Sequence, residues 1–92
     1  MKTLRDEARG RECQVRIPGV CNRDDDTTVL AHLNGAGLAL KSDNRHAAIC
    51  CSSCHDLVDS RRPSHYTNDE IRLMFLDGVI RTQLIWIREG LM

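Results

Sequence analysis

Five cysteines and four histidines are prominent among the side chains in this sequence that could bind a metal ion or carry a proton. Cys51 and Cys54 have the short spacing that lets two thiolates bind one tetrahedral zinc ion. Cys13 and Cys21 form a second pair, and a type II turn predicted at Pro18-Gly19 would reverse the chain between them. The four cysteines therefore predict a structural Zn²⁺ site, although seven residues separate the first pair rather than the usual two to four.

Other interpretations of the cysteines remain open. Cys50 could replace Cys51 as a ligand, a histidine could complete the site, or the thiols could simply be buried. Because successive residues of a strand point to opposite sides, we expect Cys50 to lie in the core while Cys51 binds the metal.

His55 and Asp59 form a second group with metal-binding chemistry. They lie four residues apart in a predicted helix, so both side chains project from one face and can reach a single divalent ion. His32 ends a predicted strand, and packing that strand on the helix would place its imidazole across the same cleft. An imidazole suits a general base that takes a proton from water near neutral pH. Asp59 could instead pair with Arg62, three residues further on.

A β-hairpin followed by a helix is the predicted scaffold for these residues. Residues 28–33 are rich in β-favouring side chains, residues 34–44 are polar and glycine-containing, and residues 46–50 predict the returning strand. Ser52 or Ser53 can cap a helix that runs to about Arg62, before Pro63. Asp24, Asp25 and Asp26 predict a solvated turn before the hairpin.

Both ends of the chain are predicted to be helical. Residues 2–9 form a short helix that Gly10 ends, and the capping box at Thr67 and Glu70 opens a helix from about 68 to 89. Gly78 interrupts this long helix at a cost of about 1 kcal/mol relative to Ala. One helix face carries apolar or small residues at three- and four-residue spacing: Ile71, Met74, Phe75, Val79, Thr82 and Trp86. We expect this face to pack on the core, with a homodimer seam through the C-terminal helix as the alternative.

Length and composition restrict the class of protein. The 92 residues suit one small domain, 1–92, and an aromatic content of 3% leaves a thin core that a structural metal would stabilise. The opening residues are charged throughout, unlike a signal peptide, and no window approaches the roughly 20 apolar residues of a membrane span. We therefore expect a cytoplasmic protein without a membrane partner, in which reduced thiols bind metal.

The formal net charge is zero, which argues against coating nucleic acid by bulk electrostatics. The balance is uneven, because residues 1–23 hold six basic and three acidic side chains while residues 24–92 hold seven and ten. Phosphate contacts must then be local. Arg61, Arg62 and His65 follow the predicted metal-binding helix and could bind phosphates, and Arg9, Arg11 and Arg16 offer a second basic stripe.

The order of these motifs resembles that of HNH endonucleases that contain a zinc knuckle: the first cysteine pair, Ala31-His32, a variable loop, and then CSSCH at 51–55. Further phrases are similar to the small YbcO-type prophage family of HNH-like nucleases. They are ARGREC at 8–13, IPGVC at 17–21, CHD at 54–56 and RTQ at 81–83. The resemblance covers nearly the whole chain.

The resemblance implies an α+β fold, a small ββα-metal (HNH/His-Me finger) core with a four-cysteine zinc site and a long C-terminal helix. It also implies a prophage-encoded, metal-dependent endonuclease that hydrolyses phosphodiester bonds in DNA. His32 takes the place of the histidine base, His55 that of the metal ligand, and Asn44 that of the residue that orients the base, with His46 equally near.

The resemblance implies a second divalent ion, such as Mg²⁺ or Mn²⁺, at His55 and Asp59. The third ligand stays open among Asp43, His46 and His65. Many HNH enzymes carry an acidic or histidine ligand directly before the base, where this chain has Ala31. The alternative is therefore a zinc-stabilised nucleic-acid- or protein-binding module with an inactive HNH-like site.

Overall fold

The structure, a computed structural model, describes residues 3–33 and 43–92. Within these residues two strands and three α-helices follow one another as α1 (Leu4–Ala8), β1 (Val29–His32), β2 (Ala47–Cys50), α2 (Ser52–Val58) and α3 (Asn68–Arg88). A short, exposed 3-10 turn at Asp25–Thr27 precedes β1, which confirms the predicted acidic turn. The arrangement is small and α+β with a long C-terminal helix, as predicted, and most of the predicted loop at 34–44 lies outside the described residues.

The two strands form an antiparallel hairpin that places His32 at its end. Val29 lies opposite Cys50, and His32 lies opposite Ala47. All four residues of β2 are buried because α3 packs against this strand. The hairpin is therefore held from one side by the long helix, while the end of β1 remains only half-buried.

The long helix begins at the predicted capping box. The Thr67 hydroxyl accepts a hydrogen bond from the Glu70 N–H, and the Glu70 carboxylate accepts one from the Thr67 N–H. The predicted core face is confirmed. Four of its residues are buried, and Ile71 and Met74 pack against the core while partly exposed; the buried four are Phe75, Val79, Thr82 and Trp86.

Gly78 allows α3 to approach the segment between the first two cysteines. A Cβ at this position would lie 2.8 Å from Val15 Cγ2 and 2.9 Å from Val15 Cα, closer than real Cβ atoms approach other atoms. The sequence indicated only that Gly78 weakens the helix. The structure shows that this glycine is required for the close packing of two segments.

Three consecutive side chains of α3 form hydrogen bonds with three other segments. Arg81 Nη1 donates to the Gln14 carbonyl at 2.7 Å, Thr82 Oγ1 accepts from the Ile49 N–H at 3.0 Å, and Gln83 Nε2 donates to the Arg45 carbonyl at 2.7 Å. One turn of α3 therefore fixes the segment after Cys13, the strand β2 and the turn that carries Asn44.

The predicted ends of α2 were wrong at both termini. The N-cap is Cys51 rather than Ser52 or Ser53, because the Cys51 Sγ accepts a hydrogen bond from the Cys54 N–H at 3.4 Å. The helix ends at Val58 rather than near Arg62, because Ser60 adopts a left-handed conformation with φ of 60°. The Ser60 and Arg61 N–H groups then bond back to the last carbonyls of the helix, as in a Schellman motif.

The structure also bears on the prediction that no segment crosses a membrane. Within the described ranges, none of the helices combines the length and the apolar character that a membrane span requires.

Candidate metal centre and hairpin cleft

The four cysteines predicted to bind zinc lie together in the structure. Their Sγ atoms are all within 4.8 Å of one another, and those of Cys21 and Cys51 are 3.8 Å apart. Tetrahedral zinc with bonds of about 2.3 Å requires sulfurs about 3.8 Å apart. The distance between Cys21 and Cys51 matches that separation, and three members of the group are buried: Cys13, Cys51 and Cys54.

Tight turns bring the first pair of cysteines to the start of α2. Gly19 has φ of 76°, and the Val20 N–H donates to the Ile17 carbonyl at 3.0 Å, as a type II turn at Pro18-Gly19 requires. Before this turn, the Arg16 N–H donates to Cys13 Sγ at 3.5 Å. A backbone N–H aimed at the sulfur stabilises a thiolate, which is the form that binds metal.

Cys50 lies beside this group without belonging to it. Hydrogen bonds from the thiols of Cys50 and Cys54 hold the pKa of Cys13 far below its usual value. The same contacts with Cys13 and Cys54, together with burial, hold the pKa of Cys50 far above its usual value. Cys50 is buried in the core, as predicted, although its thiol contacts Cys13 and Cys54 rather than pointing away from them, and Cys51 is the one of the two that belongs to the four-cysteine group.

His32 and Asn44 are in contact across the hairpin. His32 Nε2 lies 2.6 Å from Asn44 Oδ1. The turn that carries Asn44 is fixed by two backbone hydrogen bonds, from the His46 N–H to the Asp43 carbonyl and from the Leu33 N–H to the His46 carbonyl, both at 2.8 Å. Sequence reasoning left Asn44 and His46 equal, whereas the structure brings Asn44 to His32 and leaves His46 exposed.

His55 and Asp59 are also paired. His55 Nε2 lies 3.1 Å from Asp59 Oδ2, although Asp59 caps α2 rather than lying within it. Arg61 Nη2 reaches the same carboxylate oxygen at 3.3 Å. Among residues 3–33 and 43–92, no third histidine, cysteine or carboxylate joins this pair as a group of metal ligands.

Asp43, His46 and His65, the candidates for a third metal ligand, either contact other residues or face solvent. Asp43 forms an ion pair with Arg45 at 2.7 Å, and hydrogen bonds from Arg45 hold the pKa of this carboxyl far below its usual value. His65 lies against the ring of Tyr66, with the ring centroids 4.3 Å apart, and His46 is exposed. The third-ligand position thus has no protein candidate within the described part of the chain.

A cleft of about 230 Å³ connects the hairpin to the helices. His32 and Asp59 both line it, as predicted from their places in the sequence, whereas His55 is not among the lining residues. Asn68 and Arg72 of α3 line the opposite wall. Sequence reasoning gave α3 a core face and, as the alternative, a homodimer seam, but no part in the cleft; the spacing of these two residues places both on one polar face of the first turns of α3.

The predicted phosphate-binding residues are all on the surface. Arg61, Arg62 and His65 are exposed, and Arg61 lies within 3.7 Å of Asp56 as well as near Asp59. Arg62 forms no ion pair with any other described residue. Arg61 is thus paired with carboxylates, whereas the guanidinium of Arg62 is exposed and available to bind a phosphate.

The predicted basic stripe near the cysteines is largely neutralised. Arg11 forms ion pairs with Glu7 at 3.1 Å and with Glu89 at 2.6 Å. Arg16 pairs with Glu12 at 3.3 Å. These arginines hold the N-terminal segment against α3 and itself, so they offer little free charge to a phosphate.

An antiparallel hairpin, a following helix and a four-cysteine group define a small α+β protein with four thiols placed so that they could hold a metal ion. The chain belongs to the family described as "Putative nuclease YbcO", which matches residues 2–91. Two curated relatives carry the same description, one from Escherichia coli (strain K12) and one from Enterobacteria phage 82. Each is 48% identical over 94 residues, covering 98% of this chain and 96% of the relative.

A solved structure shares the fold. It is titled "Structure of a putative bacteriophage protein from Escherichia coli str. K-12 substr. MG1655", and it matches with a TM-score of 0.82 and 45% sequence identity. The match covers 94% of this chain and 98% of the other. The likeness therefore extends over nearly the whole of both molecules.

Proposed function

We propose that this protein is a prophage-encoded, metal-dependent endonuclease of HNH type, a single ββα-metal domain over residues 1–92 that hydrolyses phosphodiester bonds in DNA. The observation that carries the proposal is the 2.6 Å contact between His32 and Asn44 beside the cleft that Asp59 also lines. The order of β1, β2 and α2 supports the fold assignment. The nuclease description of the family and of the phage relative supports the reaction class and the prophage origin.

His32 is the general base in this proposal. An amide oxygen can only accept a hydrogen bond, so the contact with Asn44 requires the proton of the neutral imidazole to lie on Nε2. The other nitrogen, Nδ1, then holds the lone pair that can take a proton from a water molecule. Asn44 thus orients the ring and fixes its tautomer, while His32 moves the proton.

His55 and Asp59 would hold the catalytic divalent ion, Mg²⁺ or Mn²⁺. Their nitrogen and oxygen ligand atoms lie 3.1 Å apart, a separation that suits two ligands of one ion. Such an ion neutralises charge on the scissile phosphate and on the leaving oxygen. Arg61, Arg62 and His65 lie on the surface after α2, where they would bind neighbouring phosphates of the DNA.

The cysteine group would hold a structural Zn²⁺ ion. It would fasten the 13–21 segment to the first turn of α2, directly beside His55. The ion would therefore stabilise the small core and keep His55 in place. Reduced thiols of this kind fit a cytoplasmic protein.

The experiment that tests the proposal is cleavage of plasmid DNA by the purified zinc-loaded protein with Mg²⁺ or Mn²⁺. We expect His32→Ala to lower the rate by about 10²- to 10⁴-fold, because a general base contributes a factor of that size. His46→Ala is the matched control, since this exposed histidine lies two residues from Asn44 and should leave cleavage unchanged. Full activity of the His32→Ala protein would contradict the proposed mechanism.

Two observations favour a second function, a zinc-stabilised binding module with an inactive site. The His55 and Asp59 pair has no third protein ligand in the described ranges, and Ala31 stands where many HNH enzymes place a ligand. Metal counting separates the two functions. A binding module would hold one zinc per chain and no second ion, and it would bind DNA or protein without cutting DNA with any divalent cation.

A further inference from the structure

The outer side of α3 carries a stripe of exposed aliphatic residues. Leu73, Ile80, Leu84 and Ile87 are 63%, 57%, 45% and 58% exposed, and we call them the outer stripe. Their spacing of seven, four and three residues places them along one line of a helix. Four aliphatic side chains aligned in this way, each about half exposed, are typical of an interaction surface.

The outer stripe lies on the opposite side of α3 from the face that packs on the core. At about 100° per residue, Ile80 and Leu84 lie roughly opposite Thr82 and Trp86, which are buried. A helix that needs only one packing partner is polar on its outer side. Apolar residues on two opposite faces therefore indicate that α3 has a second partner.

We infer that this partner is a second copy of the chain, whose α3 packs antiparallel against the outer stripe. The spacing of the stripe is that of alternating a and d positions of a coiled coil. Under a two-fold axis, Ile80 of each copy packs against Leu84 of the other, so the patch is complementary to itself. The same register places Asp77 of one copy opposite Ile87 of the other.

One charge within the stripe and one beside it favour this antiparallel arrangement. Asp77 is the single polar residue among the a and d positions between Leu73 and Ile87, and Arg88 borders the stripe next to Ile87. Both are exposed, and within the described chain neither forms an ion pair. The antiparallel register brings Asp77 of each copy beside Arg88 of the other. A parallel pair would instead place the two Asp77 carboxylates against each other.

The size of the stripe predicts a concentration-dependent dimer. It spans the 15 residues from Leu73 to Ile87, which is about 22 Å of helix and two heptads. Arg81 borders the same seam, but its guanidinium is turned back to the Gln14 carbonyl. None of the residues that line the cleft belongs to the stripe, so this interface does not depend on the proposed catalytic function.

The test is sedimentation velocity of the full zinc-loaded chain over about a hundredfold range of protein concentration, in low and high salt. We expect the dimer fraction to rise with concentration, and Ile80→Glu to leave a monomer at every concentration. Met92→Glu is the matched control, because Met92 is 47% exposed but lies beyond the end of α3. A wild-type protein that is monomeric throughout the range would overturn the inference.

Charge reversal separates an antiparallel second copy from any other partner or orientation. Asp77→Arg and Arg88→Asp should each weaken the dimer by roughly tenfold, since each creates two like-charge contacts. The double variant Asp77→Arg/Arg88→Asp should restore the wild-type dissociation constant. Circular dichroism checks that all three variants keep their helix content. A double variant that is as weak as the sum of the single changes would contradict the antiparallel register.

Discussion

Cys50 and Cys51 are neighbours that have different roles. Cys51 caps α2, and its sulfur belongs to the four-cysteine group. Cys50 ends β2 and is wholly buried. Both thiols face the same cluster, because the Cys50 thiol contacts Cys13 and Cys54 while the Cys51 sulfur belongs to the four-cysteine group. At the scale of a single residue, position in the backbone rather than residue type separates these two cysteines.

This difference predicts separate effects of two equivalent substitutions. Under the proposed zinc site, Cys51→Ser should lose the ion, because a serine hydroxyl is a poor replacement for a thiolate ligand. Cys50→Ser should keep one zinc per chain, with a loss of stability from placing a hydroxyl in the core. Atomic absorption on the purified proteins measures the metal content. Equal zinc loss in both variants would show that Cys50 is also a ligand.

Asn44 is the second residue whose role can be isolated. Asn44→Ala removes the acceptor that fixes the His32 ring, so cleavage should slow by about 10- to 100-fold under the proposed mechanism. Arg45→Ala is the control, because Arg45 contacts Asp43 rather than His32. Rates on a fixed oligonucleotide, with helix content checked by circular dichroism, measure the effect. An unchanged rate for Asn44→Ala would remove Asn44 from the mechanism.

At the scale of elements, α3 is held against the rest of the protein by a glycine and a buried hydroxyl. Gly78 makes room for Val15, and the Thr82 hydroxyl both accepts from the Ile49 N–H and donates to the Gly78 carbonyl. Neither residue is a good helix former. Their presence in the middle of the longest helix is explained by the segments that pack there.

Gly78→Ala should destabilise the protein although alanine is the better helix former. The added Cβ would overlap Val15, and overpacking of this kind costs about 1–3 kcal/mol. Chemical denaturation measures the free energy of unfolding. Because Val15 Cα is one of the two atoms overlapped, adding Val15→Ala should not restore the loss. A stabilised Gly78→Ala protein would mean that the two segments separate at no cost.

Thr82→Val tests the hydrogen bond between α3 and β2. The substitution keeps the shape of the side chain but leaves the Ile49 N–H buried without its acceptor, which should cost about 1–3 kcal/mol. The same denaturation measurement applies, and Thr82→Ser, which keeps the hydroxyl, should recover part of the loss. Equal stability of the valine and serine variants would contradict this assignment.

The elements predicted from the sequence are those with local signals. The capping box located the start of α3, its three- and four-residue spacing located the buried face, and Pro18-Gly19 located the turn between the first cysteines. The ends of α2 were missed because they depend on a sulfur acting as a cap and on a serine in a left-handed conformation.

The candidate site was predictable to a similar degree. The cysteine group and the cleft shared by His32 and Asp59 followed from motif order. The choice of Asn44 over His46 did not, because it depends on the conformation of the returning turn. Asn68 and Arg72 were missed as cleft residues because their placement depends on how α3 crosses the hairpin. Contacts between residues far apart in the chain carry no local sequence signal.

At the scale of the whole molecule, stability should depend on the metal. The described core has few large side chains, Trp86, Ile17 and Ile49 being the largest that are fully buried. The four cysteines join the 13–21 segment to the start of α2 within one core cluster. Under the proposed zinc site, removing the ion should unfold the protein, since structural zinc contributes roughly 10 kcal/mol to small domains.

Chelation gives the measurement. Addition of a strong zinc chelator should abolish the cooperative thermal transition, and excess Zn²⁺ should restore it. Mg²⁺ is the matched control, because a magnesium ion prefers oxygen ligands and should not rescue a thiolate site. A transition unaffected by chelation would show that the thiols are buried in the core and that no metal ion stabilises the fold.

The hydrogen bonds that Arg81, Thr82 and Gln83 form with other segments also have a consequence for biosynthesis. They join residues separated along the chain by 67, 33 and 38 positions, and in every case the α3 residue is made last. The hairpin and the cysteine pairs are therefore synthesised before α3, and the turn with Asn44 is first held by its own backbone hydrogen bonds. The wall of the cleft that α3 supplies is added to the hairpin only afterwards.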